Sequence, residues 1–294
     1  MRFLRFLTRE LFIHGVLFTV AGTAALSLLY LLAIGAPPES FVQTGRSFLL
    51  LLSGSRDFSI RHPGFSAGQI IAGGAAVTLP LALASLFLLT VIALAAAAFA
   101  TSARYLSEAH GQRAAKALRR SAGFLASVLA ALPLFVGFWV LANRFGSRAP
   151  FLLIALTTVC VGGLAWDATR FLMSDMLQQV QSTHAAVFTT LGRPLGMVLP
   201  LPGTFSCYLF SSSLPRFIPY LAGKVPAIIG AVTIGEIVFS FPGLGSTLLD
   251  ALLATNTDLL VASVFILLCV NALVAFLVKS FLFLIYPRWY EKAI

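Results

Sequence analysis

The run "AVTLPLALASLFLLTVIALAAAAFA", residues 76 to 100, holds no charged side chain and exceeds the length that a helix needs to cross a bilayer. About 20 apolar residues suffice to span a hydrocarbon core about 30 Å thick. Such a run excludes a soluble fold, and it recurs along the chain. A barrel would instead show segments of about 10 residues alternating in hydrophobicity, so helices are predicted. The 294-residue chain is 59% hydrophobic and 10% charged, with a mean hydropathy of +0.95. Soluble domains are roughly half apolar and one quarter charged. The fold class read from this pattern is all-α, a polytopic membrane protein with about six transmembrane helices in a single domain over 1–294.

The six spans are drawn at about 11–34, 76–100, 122–142, 150–170, 225–241 and 259–285. The first is preceded by basic residues, as in a signal peptide, but its apolar run exceeds the 7 to 15 residues of a signal's core and is read as uncleaved. Basic residues gather on the cytoplasmic side of membranes. With the N- and C-termini inside, that side receives Arg2, Arg5, Arg9, the group from Arg104 to Arg120, Arg170, Arg193, Arg216, Lys224, Arg288 and Lys292. Only Arg46, Arg56, Arg61, Arg144 and Arg148 fall outside. Lys279 lies within the last span, where its stem can snorkel to the cytoplasmic end. The net charge of +10 is thus explained by topology and not by nucleic acid.

Two connections exceed ordinary loops, which seldom pass about 15 residues without a function. One, about 35–75, is external. The other, about 171–224, is cytoplasmic; Ser174 to Leu191 lacks Gly and Pro and suits a helix, Gly192 and Pro194 stop it, and a second short helix is expected between Thr204 and Ser213. The two form a helical hairpin projecting into the cytoplasm.

Catalytic signatures are missing from the sequence. Gly223-Lys224 is followed by Val225 and lacks the upstream glycine of a phosphate-binding loop. Cys160, Cys207 and Cys269 are far apart, and His14, His62, His110 and His184 are equally dispersed, so neither a disulfide framework nor a metal site is read. Ionisable residues at mid-membrane are sparse: Glu236 and Asp250 fall near the external face and Asp167 near the internal one. Proton- or ion-driven carriers place carboxylates near the midplane, so an energy source on another subunit is expected.

The stretch "GEIVFSFPGLGSTLLDALL", 235 to 253, closely resembles the segment after the fifth helix in membrane permeases of ABC importers of the dipeptide/oligopeptide/nickel class. Glu236, Phe239, Ser240, Pro242, Gly243, Leu244, Gly245, Asp250 and Ala251 match; Phe241 stands where tryptophan is usual. The likeness extends to the basic opening "MRFLRFLTRELF", to Gly54, Asp57, Phe58 and Ser59, and to Asn271, Pro287 and Arg288. The resemblance implies a type I importer permease in the bacterial cytoplasmic (inner) membrane. It further implies a second, homologous permease, two ATPases carrying ATP and Mg, an extracytoplasmic solute-binding protein, and a peptide or similar solute. This chain would bind no cofactor and hydrolyse nothing.

The resemblance also assigns sites. His184, Ala185, Ala186, Val187, Phe188, Leu191, Gly192 and Arg193 occupy the loop that docks on the ATPase, where His184, Ala186, Thr189 and Leu191 replace common Tyr, Arg, Arg and Lys, and where Gly192 to Leu214-Pro215 is about five residues longer than usual. Glu236, Phe239 to Gly245 and Asp250 are assigned to an external gate or binding-protein contact; for Phe239 to Gly245 a re-entrant turn at interface depth is the purely structural reading. For Glu236 and Asp250 the alternatives are selection of cationic groups, helix capping or a salt bridge; for Asn271, helix packing or the pore. A permease-like scaffold without transport, or a secondary transporter, is the alternative function.

Overall fold

The computed structural model describes residues 5–13, 15, 16, 18–20, 22, 24, 67–110, 113–146, 149–180, 187, 205–254 and 257–285. Every regular element among them is a helix: α1 Ala67–His110, α2 Arg113–Ala131, α3 Leu134–Phe145, α4 Phe151–Cys160, α5 Leu164–Val180, α6 Phe205–Phe239, α7 Leu244–Leu253 and α8 Thr257–Ile285. The N-terminal residues 5–13 are also helical. Most of the first expected span and of the external segment lies outside the described residues. The chain divides into two compact units, one of Met1–Ala82, Ala142–Ala149 and Val225–Ile294, the other of Leu83–Leu141 and Pro150–Lys224.

Among the described residues, three segments are long and apolar enough to cross a membrane alone: Gly68–Thr101, Cys207–Phe239 and Leu259–Leu277. The second span thus starts before the expected 76, and residues 67–75 leave the external segment for a helix. Gly74 is buried in α1, and a Cβ there would lie 3.1 Å from the Gly243 carbonyl carbon and the Leu244 nitrogen. The glycine permits backbone contact. The fifth span is longer still. Instead of a short helix at 204–213 and a span at 225–241, one 35-residue helix runs from Phe205 to Phe239 through Pro215, Pro219 and Pro226. Prolines are tolerated in spanning helices because neighbours and local adjustments satisfy the freed carbonyls.

The third and fourth spans are not straight. Arg120–Ala131 and Leu134–Phe145 meet at 90°, and Phe151–Cys160 and Leu164–Val180 at 56°. Pro133 causes the first bend, since it lacks an N–H and disfavours helix at Leu132. The second occurs at Gly162 (φ 81°) and Gly163 (φ 94°), a region open to glycine. There the Trp166 indole N–H donates to the Cys160 carbonyl at 3.0 Å, satisfying an acceptor freed by the break. The two bends face one another. Gly162 N–H donates to the Leu129 carbonyl at 3.4 Å, and a Cβ on Gly137 would stand 3.1 Å from Val161.

In the first unit, the N-terminal helix runs antiparallel to α8. Phe6 stacks on Phe283 with centroids 4.0 Å apart, Glu10 pairs with Lys279 at 3.2 Å, and Phe18 meets Phe265 edge-on at 5.5 Å. Lys279 therefore has a carboxylate partner within the bundle. Ile71 of α1, Leu244 and Ala251 of α7, and Leu259, Leu260 and Ala262 of α8 form a buried cluster that fixes α7 against both longer helices.

Candidate functional site

The Phe239–Gly245 stretch joins α6 to α7 in the first unit. Helix α6 ends in a Schellman arrangement: the Phe241 N–H donates to the Glu236 carbonyl at 2.9 Å and the Ser240 N–H to the Ile237 carbonyl at 3.3 Å. The position that this geometry requires to be left-handed, usually glycine, is Ser240 with φ 55°. Pro242 follows, which cannot continue a helix, and Gly243 becomes the N-cap of α7 in extended conformation, without a side chain to cap it.

Capping groups reach the α7 N-terminus from elsewhere. Glu236, fully buried, accepts the Gly245 N–H on Oε2 at 2.8 Å. Thr78 of α1, also buried, accepts the Leu244 N–H on Oγ1 at 2.8 Å and donates to the Gly74 carbonyl at 3.1 Å. Two of the four N–H groups that a helix start leaves open are satisfied in this way. A carboxyl at this end is also favoured by the helix dipole. Glu236 thus serves both helices, with its carbonyl closing α6 and its side chain opening α7.

The glycines follow from that packing. A Cβ on Gly243 would clash with the Glu236 carboxyl, and one on Gly245 would lie 2.6 Å from Thr233 Cγ2 and 2.7 Å from the Thr233 carbonyl oxygen. Irregular backbone at membrane depth survives where protein buries it, and Gly243, Leu244 and Gly245 are all buried.

Beside the turn opens a cleft of about 620 Å³, lined by Gln69 and Gly73 of α1, by Ser240, Phe241 and Pro242, and by Asp250 of α7. The two acids therefore separate. Asp250 lines the cleft, whereas Glu236 lies under the turn as a cap and does not line it. Phe239 is buried, its ring 6.0 Å from that of Phe241. Asn271 is half-buried on α8. Of the loop assigned to ATPase contact, Val187 alone is described, helical and exposed; His184, Ala185, Ala186, Phe188, Leu191, Gly192 and Arg193 lie outside the described residues.

Sequence reading missed Gly74, Thr78 and Thr233. Thr78 caps a helix whose first residue is 166 positions away, and no local pattern announces that contact. Gly245 carries a partial signal, since a bare glycine in the first turn of a helix implies close approach by something else.

Residues 105–290 match the family described as binding-protein-dependent transport system inner membrane component. An 81-residue stretch is 30% identical to an oligopeptide transport system permease protein, AmiC, of Streptococcus pneumoniae serotype 4 (strain ATCC BAA-334 / TIGR4). The AmiC of strain ATCC BAA-255 / R6 matches equally. The match covers 28% of this chain and 16% of the relatives' length.

Proposed function

Because the chain belongs to the family of binding-protein-dependent transport system inner membrane components, and is a multi-pass, all-helical ABC importer permease, we propose that it forms one half of a path for peptides or solutes of similar size. A second, homologous permease supplies the other half. Two ATPase subunits carry ATP and Mg, and an extracytoplasmic binding protein delivers the solute. Both termini and the connection between α5 and α6 face the cytoplasm, where that connection, from His184 to Arg193, meets an ATPase. The match over residues 105–290 carries this reading; the peptide class is supported by the AmiC likeness.

In this mechanism the chain supplies the path and a partner hydrolyses ATP. ATP-driven closure of the ATPases moves the α5–α6 connections, and the permeases switch the open face through rearrangement of packed helices. The Glu236-capped turn and its cleft form the outer part of the path or the surface that receives the binding protein. Irregular, buried backbone beside an open cleft supports that assignment.

Gentle-detergent affinity purification of the chain from its native membrane, with mass spectrometry of the co-purifying proteins, tests the reading. Recovery of an ATPase and a second permease is expected. Reproducible recovery of the chain alone from intact membranes would favour a permease-like scaffold without transport.

A further inference from the structure

Helix α5 and the start of α6 run antiparallel within the second unit and meet along a stripe of side chains. Asp167, Phe171 and Asp175 stand at four-residue intervals on α5, and Lys224, Tyr220 and Arg216 at the same intervals in reverse on α6. Four residues apart means one face of a helix. The rungs pair in order. Asp167 Oδ2 lies 3.4 Å from Lys224 Nζ, the Phe171 and Tyr220 rings stack with centroids 4.2 Å apart and 9° between planes, and Asp175 Oδ1 accepts from Arg216 Nη1 at 2.8 Å. Lys224 also sits 5.2 Å from the Tyr220 centroid, and Phe217 backs the same ring at 6.4 Å. The three rungs cover about 12 Å of helix at 1.5 Å per residue.

Burial is uneven along this ladder. The Asp175 side chain is 7% exposed while its Arg216 partner is 44% exposed. The best-formed ion pair is the one nearest the connection, since α5 ends at Val180 and α6 begins at Phe205. Sliding either helix by one turn, a step that packed helices do take in switching proteins, would set aspartate against tyrosine and phenylalanine against a cation. Asp175 would then keep a buried carboxylate without its cation, which is strongly unfavourable. The alternation of acid, ring, acid against base, ring, base therefore opposes a slip of one turn in either direction.

We infer that the Asp167–Lys224, Phe171–Tyr220 and Asp175–Arg216 ladder is a register lock that makes α5 and the start of α6 move as one strut, so that a push on their connection reaches the helices packed behind it. The four charged residues are positioning residues that touch neither solute nor nucleotide. The inference rests on the importer reading above, because a strut has a function only if a partner pushes it. It deepens that reading by identifying what in this chain carries the force.

The test uses the whole complex in proteoliposomes and reads ATPase activity with and without the binding protein. Asp175→Arg and Arg216→Asp, each alone, are expected to cut binding-protein stimulation by roughly tenfold, within the range typical of coupling between sites. The double exchange restores it by rebuilding the pair in reverse. Stimulation that survives either single reversal, or a double variant no better than the singles while still assembled, would overturn the lock.

A second measurement covers variants that fail to assemble. With Cys160, Cys207 and Cys269 replaced, Phe171→Cys and Tyr220→Cys are joined in native membranes by a short methanethiosulfonate cross-linker. Efficient joining with stimulation retained supports a strut. Failure to join, or joining that abolishes stimulation, would overturn it. If the unaltered chain brings no ATPase, the importer reading itself fails, and the cross-link still reports whether the helices keep this register.

Discussion

Ser240 occupies a left-handed position that the Schellman turn demands and that an L side chain resists by about 1–2 kcal/mol. Ser240→Gly is therefore expected to raise stability by about 1 kcal/mol, seen as a higher midpoint in a thermal melt of the detergent-solubilised protein; an unchanged or lower midpoint would show that the hydroxyl earns its place at the cleft. Glu236 gives a sharper contrast. Glu236→Gln keeps an oxygen to accept the Gly245 N–H, whereas Glu236→Ala leaves a buried donor open at a cost of about 1–3 kcal/mol. The glutamine variant is thus expected to melt close to the parent and well above the alanine variant. Equal losses from both would mean that the charge, and not the capping oxygen, is what the site requires.

The elements themselves were unevenly legible. Apolar runs announced the spanning helices because the requirement for length in lipid leaves few alternatives. The expectations erred in both directions: a gap was expected between Ser213 and the span at 225 where α6 runs on without a break, while Gly162-Gly163 passed unremarked where the fourth span bends. A local rule records what a residue prefers, and tertiary neighbours decide whether the preference is exercised. The bend at Gly163 is such a decision, with φ at 94° and Ala130 Cβ 3.5 Å from where a new Cβ would stand. Gly163→Ala is expected to lower stability by at least about 1 kcal/mol through backbone strain, measured by the same melt. No loss would indicate that α4 and α5 straighten without cost. The turn at 236–245 was legible as a motif but not as a mechanism, since its second capping group comes from Thr78 on another helix.

At the scale of the whole molecule, everything proposed about energy coupling depends on which way the chain crosses the membrane. The basic residues favour one answer, because they cluster beside the connections that this topology places inside. Val187 is exposed on the connection between α5 and α6, which makes it an accessible reporter. In a chain with Cys160, Cys207 and Cys269 replaced, Val187→Cys is expected to react with a membrane-impermeant maleimide only after the membrane is opened or inverted, and Ser59→Cys to react from the outside of intact cells. Labelling of Val187→Cys from outside would invert the topology. An ATPase in the cytoplasm would then have no access to the segment assigned to it, the ladder on α5 and α6 would have nothing to push it, and the cleft beside Ser240 and Asp250 would open towards the cytoplasm. A charge bias set during insertion thus determines whether two local structures, a capped turn and a paired stem, serve as the two ends of one transport cycle.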